Sequence, residues 1–366
     1  MVKILKLNKI SPVINNVFDA KYEVSDDCVD PDGIILRSFN MADYETGASL
    51  AAIGRAGAGV NNIPIEKMAE KGIVVFNTPG ANANAVKELV LCGMLIASRD
   101  IIGGNKWVNT LTSDVAKATE KGKAAFGGHE IFGKTLGVIG LGAIGVKVAN
   151  AAVALGMKVV GYDPYLSEKS KSLLDKAVEI TDLDGIYANS DIITLHVPLL
   201  DSTKGMINAE AIAAMKDGVI ILNMSRGSLV NVADLKAALG GKIAKYVVDF
   251  PDENVINTDN IIVLPHLGAS TEEAEDNCAE MAAKELKDYL ENGEIVNSVN
   301  YPALAKARSG KVRTCVCFLS SAEEAVKYVP GDKVVATRGN YGYAIIDGDA
   351  AADLSGIDGI LKVRVL

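Results

Sequence analysis

The stretch that most constrains the fold of this chain is a short apolar run, residues 136–139, that feeds directly into Gly140-Leu141-Gly142-Ala143-Ile144-Gly145. A helical pattern follows, with Ile144, Val148, Ala151, Ala152 and Leu155 on one face. A second apolar run, 159–162, then closes on Asp163. A bare G-x-G-x-x-G says little in a chain with 35 glycines. Placed at a strand-to-helix junction, with an acid at the end of the next strand, it predicts a dinucleotide-binding βαβ unit. Gly140 allows the tight turn, Gly142 leaves room for a pyrophosphate against the backbone, and Gly145 lets the helix approach the strand. The N–H groups at the helix start, around Ala143 and Ile144, face the phosphate charge. Asp163 can accept hydrogen bonds from ribose hydroxyls and would repel a 2′-phosphate, so the pattern favours NAD over NADP.

The 366 residues leave room for two or three domains. Ahead of the glycine loop, strands are expected at 3–5, 34–36, 51–53 and 73–76, with a helix over 64–71. This reads as a small doubly wound sheet. Beyond the loop the alternation resumes, with strands at 192–195, 219–222, 246–248 and 261–264 and helices at 208–215 and 232–239. Long helices are expected at 84–98 and 271–290, and a basic linker at 306–311. The tail starts over with strands at 313–319, 333–337, 343–346 and 361–366 and a helix at 321–328. That order suggests a ferredoxin-like module whose second helix must fit within 350–356. The expected fold class is therefore α/β, with two doubly wound parallel-sheet domains and a small α+β C-terminal module. Residues 1–79 with 270–305 form a flavodoxin-like substrate domain, 80–269 a Rossmann NAD domain, and 311–366 the tail module.

A net charge of −9 argues against a general nucleic-acid binder, so an anionic substrate must be met by local cations. No apolar run reaches membrane-spanning length. The N-terminal run alternates lysine with apolar residues and reads as a strand, not as a targeting segment. Cys28, Cys92, Cys278, Cys315 and Cys317 lack metal-ligand spacing and suit the packing of a reduced, cytoplasmic protein. No metal is expected. Cys315 and Cys317 fall on one face of a strand.

Three histidines occur. His266 lies past a strand in Pro265-His266-Leu267-Gly268-Ala269-Ser270, on the edge of a doubly wound sheet that faces the ligand crevice. An imidazole there can take a hydroxyl proton while hydride leaves the same carbon. His196, beside Val197 and Pro198, suits a wall of the cofactor pocket, and His129 a surface loop. Arg226, in Asn223-Met224-Ser225-Arg226-Gly227, also follows a strand and can grip a carboxylate. In Asp249-Phe250-Pro251-Asp252-Glu253 one acid can orient His266. Spacing leaves open which one.

These motifs, with Gly54-Arg55-Ala56-Gly57-Ala58-Gly59-Val60, Asn77-Thr78-Pro79, Tyr162-Asp163-Pro164 and His196-Val197-Pro198-Leu199, resemble the D-isomer-specific 2-hydroxyacid dehydrogenases over about residues 30–305. Within that family the resemblance is strongest to the branch that oxidises 3-phosphoglycerate with NAD at the start of serine biosynthesis. The alternatives are a glyoxylate, hydroxypyruvate or other 2-keto-acid reductase and, in a different class, an NAD-sensing scaffold. The resemblance implies Arg226, Glu253 and His266 as catalytic residues. It implies cofactor contacts at the glycine loop, Asp163, His196, Pro198, Thr203, Asn223, Ser225, Asp249 and Gly268. It places substrate carboxylate and phosphate on Arg37, Ser38, Arg55, Gly57, Asn82 and Lys123, the last in a basic loop. Two departures stand out: Val-Asp-Phe-Pro-Asp-Glu-Asn where the family writes Asp-Val-Phe-x-x-Glu-Pro, and Ala58 in place of a threonine. The tail resembles a shortened ACT domain without the usual serine-contacting polar residues. It is expected to pair with its copy in a homodimer or homotetramer.

Overall fold

The computed structural model describes residues 1–366, and the chain divides into two compact units, Met1–Asn82 with Glu272–Leu366, and Ala83–Thr271. The first unit opens with strands β1 (Val2–Leu7), β2 (Tyr22–Ser25), β3 (Gly33–Leu36) and β4 (Ala52–Arg55), helix α1 (Ile65–Glu70) and strand β5 (Val74–Asn77). All pair in parallel, in the order β2-β1-β3-β4-β5. This is the flavodoxin-like order, with its switch point between β1 and β3. Ile34, Ile35 and Leu36 are fully buried, as a strand covered on both faces requires. β2 was not anticipated, since Tyr22-Glu23-Val24-Ser25 lies on the sheet edge and carries no continuous apolar run.

The second unit begins with helices α2 (Ala83–Ser98), α3 (Ile101–Val108) and α4 (Val115–Gly122). Strand β6 (Thr135–Ile139), helix α5 (Ala143–Ala154) and strand β7 (Lys158–Tyr162) form the glycine-loop unit. Helix α6 (Glu168–Leu173), β8 (Val178–Ile180), α7 (Leu183–Asn189), β9 (Ile192–Leu195), α8 (Ala209–Ala214), β10 (Val219–Asn223), α9 (Val232–Ala238), β11 (Ile243–Val248) and β12 (Ile261–Val263) complete it. The seven strands are parallel in the order β12-β11-β10-β9-β6-β7-β8. The order reverses between β9 and β6, which places a ligand crevice at their carboxyl ends. One apolar layer, with Val90, Met94, Val148 and Ala152, covers one face. Another, with Ile186, Ile212 and Leu235, covers the other.

The chain returns to the first unit through α10 (Glu272–Asn292). The tail then forms β13 (Val312–Leu319), α11 (Glu323–Tyr328), β14 (Asp332–Arg338), β15 (Tyr341–Gly348) and β16 (Ile360–Val365). Its sheet is antiparallel in the order β14-β15-β13-β16, the ferredoxin-like arrangement. The anticipated second helix does not form. Residues 349–359 run through turns, with Gly356 and Gly359 at φ of 79° and 89°. One sheet face, with Val316, Phe318, Ala344 and Ile346, packs under Val326 of α11. The other, with Cys315, Cys317, Tyr343 and Ile345, merges with Tyr289 and Leu290 of α10 and with Tyr301. The supposed linker is also tied down. Lys306 pairs with Asp347 at 2.9 Å and Asp332 at 2.8 Å, and Arg313 pairs with Asp347 at 2.8 Å while donating to the carbonyls of Asn292 and Lys306. Arg364 donates to the carbonyls of Tyr289 and Leu290 in the last turns of α10, where helix carbonyls need partners. Cys278, Cys315 and Cys317 are buried packing residues, whereas Cys92 is exposed and Cys28 half-buried. No helix is long and apolar enough to cross a membrane.

Candidate cofactor site and catalytic edge

The three glycines of the β6–α5 turn answer to three different neighbours. Gly140 has φ of 95°, and a Cβ there would lie 2.6 Å from the His196 carbonyl. A Cβ on Gly145 would lie on the Gly140 carbonyl, so only glycine lets α5 close on the turn. A Cβ on Gly142 would meet nothing. The space in front of it is open, and Gly142 caps α5 without any side-chain bond, so the first N–H groups of a twelve-residue helix are left for a ligand. Asp163, at the end of β7, is half-buried. One carboxylate oxygen accepts the Leu141 N–H and the other the Tyr165 N–H, each at 2.8 Å. It thus fixes the glycine turn and keeps a lone pair on each oxygen for a ribose hydroxyl. These residues fit a dinucleotide: Gly140 to Gly145 would hold the pyrophosphate and Asp163 the ribose.

Apart from Lys123, the remaining sequence-derived positions of this unit lie beyond the carboxyl ends of β9, β10, β11 and β12. His196 follows β9. Its Nε2 lies 3.0 Å from Thr194 Oγ1, and desolvation pushes its imidazole down to about 3. It stays neutral. Thr203 accepts the Leu200 N–H and donates to the Pro198 carbonyl, bracing that loop. Asn223, fully buried after β10, donates to the Arg226 carbonyl at 2.9 Å and to the Tyr246 hydroxyl at 3.1 Å, and accepts the Ser225 N–H at 3.1 Å. Ser225 donates to the Val197 carbonyl. Arg226 is half-buried in this braced loop and pairs with no carboxylate; its Nη1 donates to the Ser225 carbonyl at 2.6 Å.

One acid of the 249–253 stretch holds the backbone of the His266 loop. Asp249, 1% exposed at the end of β11, accepts the N–H groups of Leu267 and Gly268, both at 2.8 Å. It grips the backbone of the loop that carries His266. Glu253, assigned by resemblance to support His266, is exposed and makes no hydrogen bond or ion pair with it. The Phe250 ring packs on the imidazole instead, centroids 4.8 Å apart. His266 has φ of 57°, a left-handed backbone next to the two residues that Asp249 holds, and it is exposed. Lys123 does not sit in a loop. It caps α4, is exposed, and pairs with Glu120 at 2.6 Å. The predicted loop became helical because Val115 to Gly122 is rich in helix-forming Ala, Lys and Glu.

In the first unit Leu36, Arg55 and Asn77 stand in register across β3, β4 and β5, which brings Arg37, Arg55 and Asn77 to one sheet edge. Arg37 pairs with Glu275 of α10. Gly57 has φ of 142°, and a Cβ there would overlap the Arg55 guanidinium, which lies across that turn. Ser38 is exposed beside it and Asn82 half-buried. Asn77 was cited only within a motif. It is a strut, donating to the Ala58 carbonyl at 2.7 Å, while Thr78 donates to the Gly57 carbonyl. Pairings such as Asn223 with Tyr246 or Asn77 with Ala58 join residues 19 or more apart and leave no local sequence signal.

Residues 91–268 match the family described as D-isomer specific 2-hydroxyacid dehydrogenase, NAD binding domain. The chain is 38% identical over 304 residues to D-3-phosphoglycerate dehydrogenase of Methanocaldococcus jannaschii, covering 80% of this chain and 56% of that protein. It is 42% identical over 241 residues to hydroxypyruvate reductase of Thermotoga maritima, covering 63% of this chain and 74% of that one. It spans about half the length of the phosphoglycerate dehydrogenases it matches. The solved structure of NAD+-bound 3-phosphoglycerate dehydrogenase of Entamoeba histolytica superposes with a TM-score of 0.65 at 26% identity, covering 83% of this chain and 99% of that one. D-mandelate dehydrogenase of Rhodotorula graminis, at 22% identity and a TM-score of 0.71 over 84% of this chain and 99% of that one, shares the fold. The glycine turn, the braced Arg226 loop and the Asp249-held His266 loop thus stand on the NAD-binding unit of a chain that belongs to the D-isomer-specific 2-hydroxyacid dehydrogenases.

Proposed function

We propose that the chain oxidises 3-phospho-D-glycerate to 3-phosphohydroxypyruvate, the first step of serine biosynthesis. When bound at the glycine turn, NAD supplies the hydride acceptor. Arg226 holds the substrate carboxylate through two N–H donors. His266 takes the proton of the carbon-2 hydroxyl as the carbon-2 hydride departs, leaving a ketone and a protonated imidazole. Asp249 acts through the loop backbone as a positioning residue, and Asn223 does the same for Arg226. Glu253 keeps the supporting role that family resemblance gives it. Preference for a phosphorylated substrate rests on Arg37, Arg55 and Lys123, local cations in an acidic chain.

The observation that carries this reading is the pairing of a braced, carboxylate-free Arg226 with a backbone-gripped His266 along one sheet edge. The phosphoglycerate dehydrogenases matched at 33–38% identity support the substrate. One observation favours a second reading: the hydroxypyruvate reductase relative is matched at higher identity and over more of its own length. NADH absorbance, followed with 3-phosphoglycerate, glycerate and D-lactate, and in reverse with hydroxypyruvate and glyoxylate, separates the two. The first reading requires 3-phosphoglycerate to give the highest kcat/KM. Faster turnover of hydroxypyruvate or glyoxylate establishes the second.

A further inference from the structure

Glu285 is the least expected side chain in the interior of the first unit. It lies on the buried stripe of α10 that also carries Cys278, Ala282 and Tyr289, and it is 7% exposed. Its Oε1 accepts from Asn297 Nδ2 at 2.6 Å, and its Oε2 is enclosed without a partner. No cation pairs with it. β3, β5 and the turn Pro12–Asn16 carry no charged residue, β4 carries Arg55 at its end, and Glu294 follows α10. From the tail, Arg364 is engaged by the carbonyls of Tyr289 and Leu290. The Asp288 carboxylate, one turn away on α10, repels Glu285. Desolvation first, and Asp288 after it, push the Glu285 carboxyl up to about 7 against the pull of Asn297.

Asn297 also reaches outward. Its carbonyl accepts the Asn77 N–H at 3.4 Å, and Asn77 Nδ2 donates to the Ala58 carbonyl at 2.7 Å. A line of hydrogen bonds therefore runs from an unpaired buried carboxyl group to the Gly57–Ala58 turn, over which the Arg55 guanidinium lies.

We propose that Glu285 is a proton-operated latch. Protonated, it stays enclosed against Asn297, and the turn at 57–58 is held for ligand. Ionised, it places a lone negative charge beside Asp288 in the core and loosens residues 293–300 together with that turn. The sign follows from the burial: the folded state favours the proton, so the latch weakens as pH rises through neutrality. The direct test is amide hydrogen exchange on the full chain, corrected for intrinsic rates, between about pH 6 and about pH 8.5. In the unaltered protein, amides 297–300 and 57–59 are expected to lose protection roughly tenfold over that interval, and in Glu285→Gln to stay level. The KM for 3-phosphoglycerate should rise with pH in the former alone, with parallel kcat profiles. If Glu285→Gln does not fold, Glu285→Met serves in its place. Level protection in the unaltered protein, or the same loss in the variant, overturns the latch. The exchange measurement involves no substrate, so it is independent of the reaction proposed above.

Discussion

His196 and His266 both follow strands of one parallel sheet, yet burial gives them opposite uses. His196, held neutral by desolvation, cannot cycle a proton near neutral pH. His266 stands exposed on its loop. His266→Ala is expected to lower turnover by roughly 10² or more, the scale of a lost general base, with NADH still bound. Turnover near that of the unaltered enzyme removes His266 from the mechanism. Asp163 grips the Leu141 N–H, and with NAD bound its remaining lone pairs would receive the ribose hydroxyls. Asp163→Ala should weaken NAD binding and narrow its preference over NADP, because a repulsive carboxylate is gone. Titration calorimetry with both cofactors measures this, and an unchanged ratio denies the role.

At the scale of elements, the loops that carry Arg226 and His266 are positioned by buried polar residues at strand ends. Asp249 holds the His266 loop by two backbone bonds, so Asp249→Ala leaves the Leu267 and Gly268 N–H groups without their partner, the second of them buried. It should cost about 1–3 kcal/mol of stability and lower kcat more than it raises KM. A kcat unchanged in a well-folded variant would show that the left-handed turn at His266 holds itself. The α4 end is a different case, because Lys123 is exposed and shares its charge with Glu120. Lys123→Ala should raise the KM for 3-phosphoglycerate and blunt its salt dependence, leaving a non-phosphorylated 2-hydroxy acid nearly unaffected. Equal losses with both substrates would make Lys123 a support of the helix and no part of phosphate recognition.

For the molecule as a whole, the tail is part of the core of the first unit. Deleting residues 309–366 uncovers Tyr289, Leu290 and Tyr301 and removes the donors to the end of α10. The truncated chain is therefore expected to lose cooperative melting of that unit. A sharp calorimetric transition at unchanged temperature would show the tail to be a free appendage. The Arg313 guanidinium holds the Asp347 carboxyl far below the usual carboxylate range. This stabilisation is present above the unfolded value and lost as pH falls through the folded one. Asp347→Asn leaves Arg313 buried and unpaired and should cost about 3–5 kcal/mol, read by denaturant unfolding.

The sequence by itself determined the parallel sheets, the glycine turn and its acid, and which loops follow which strands. Apolar runs of strand length and glycine positions are local signals, and a parallel sheet sends the carboxyl ends of its strands to one edge. The family motifs named Arg226 and His266 for the same reason: each lies one step past an apolar strand. Tertiary structure alone decided that Asp249 grips the backbone of the His266 loop. It also decided that His196 is neutral, that the tail is built into the first unit, and that Glu285 is a buried acid. Those outcomes depend on which side chains from distant segments meet and on how much water they exclude. Neither quantity is encoded in spacing along the chain, because burial and electrostatic pairing come into being only when the elements pack.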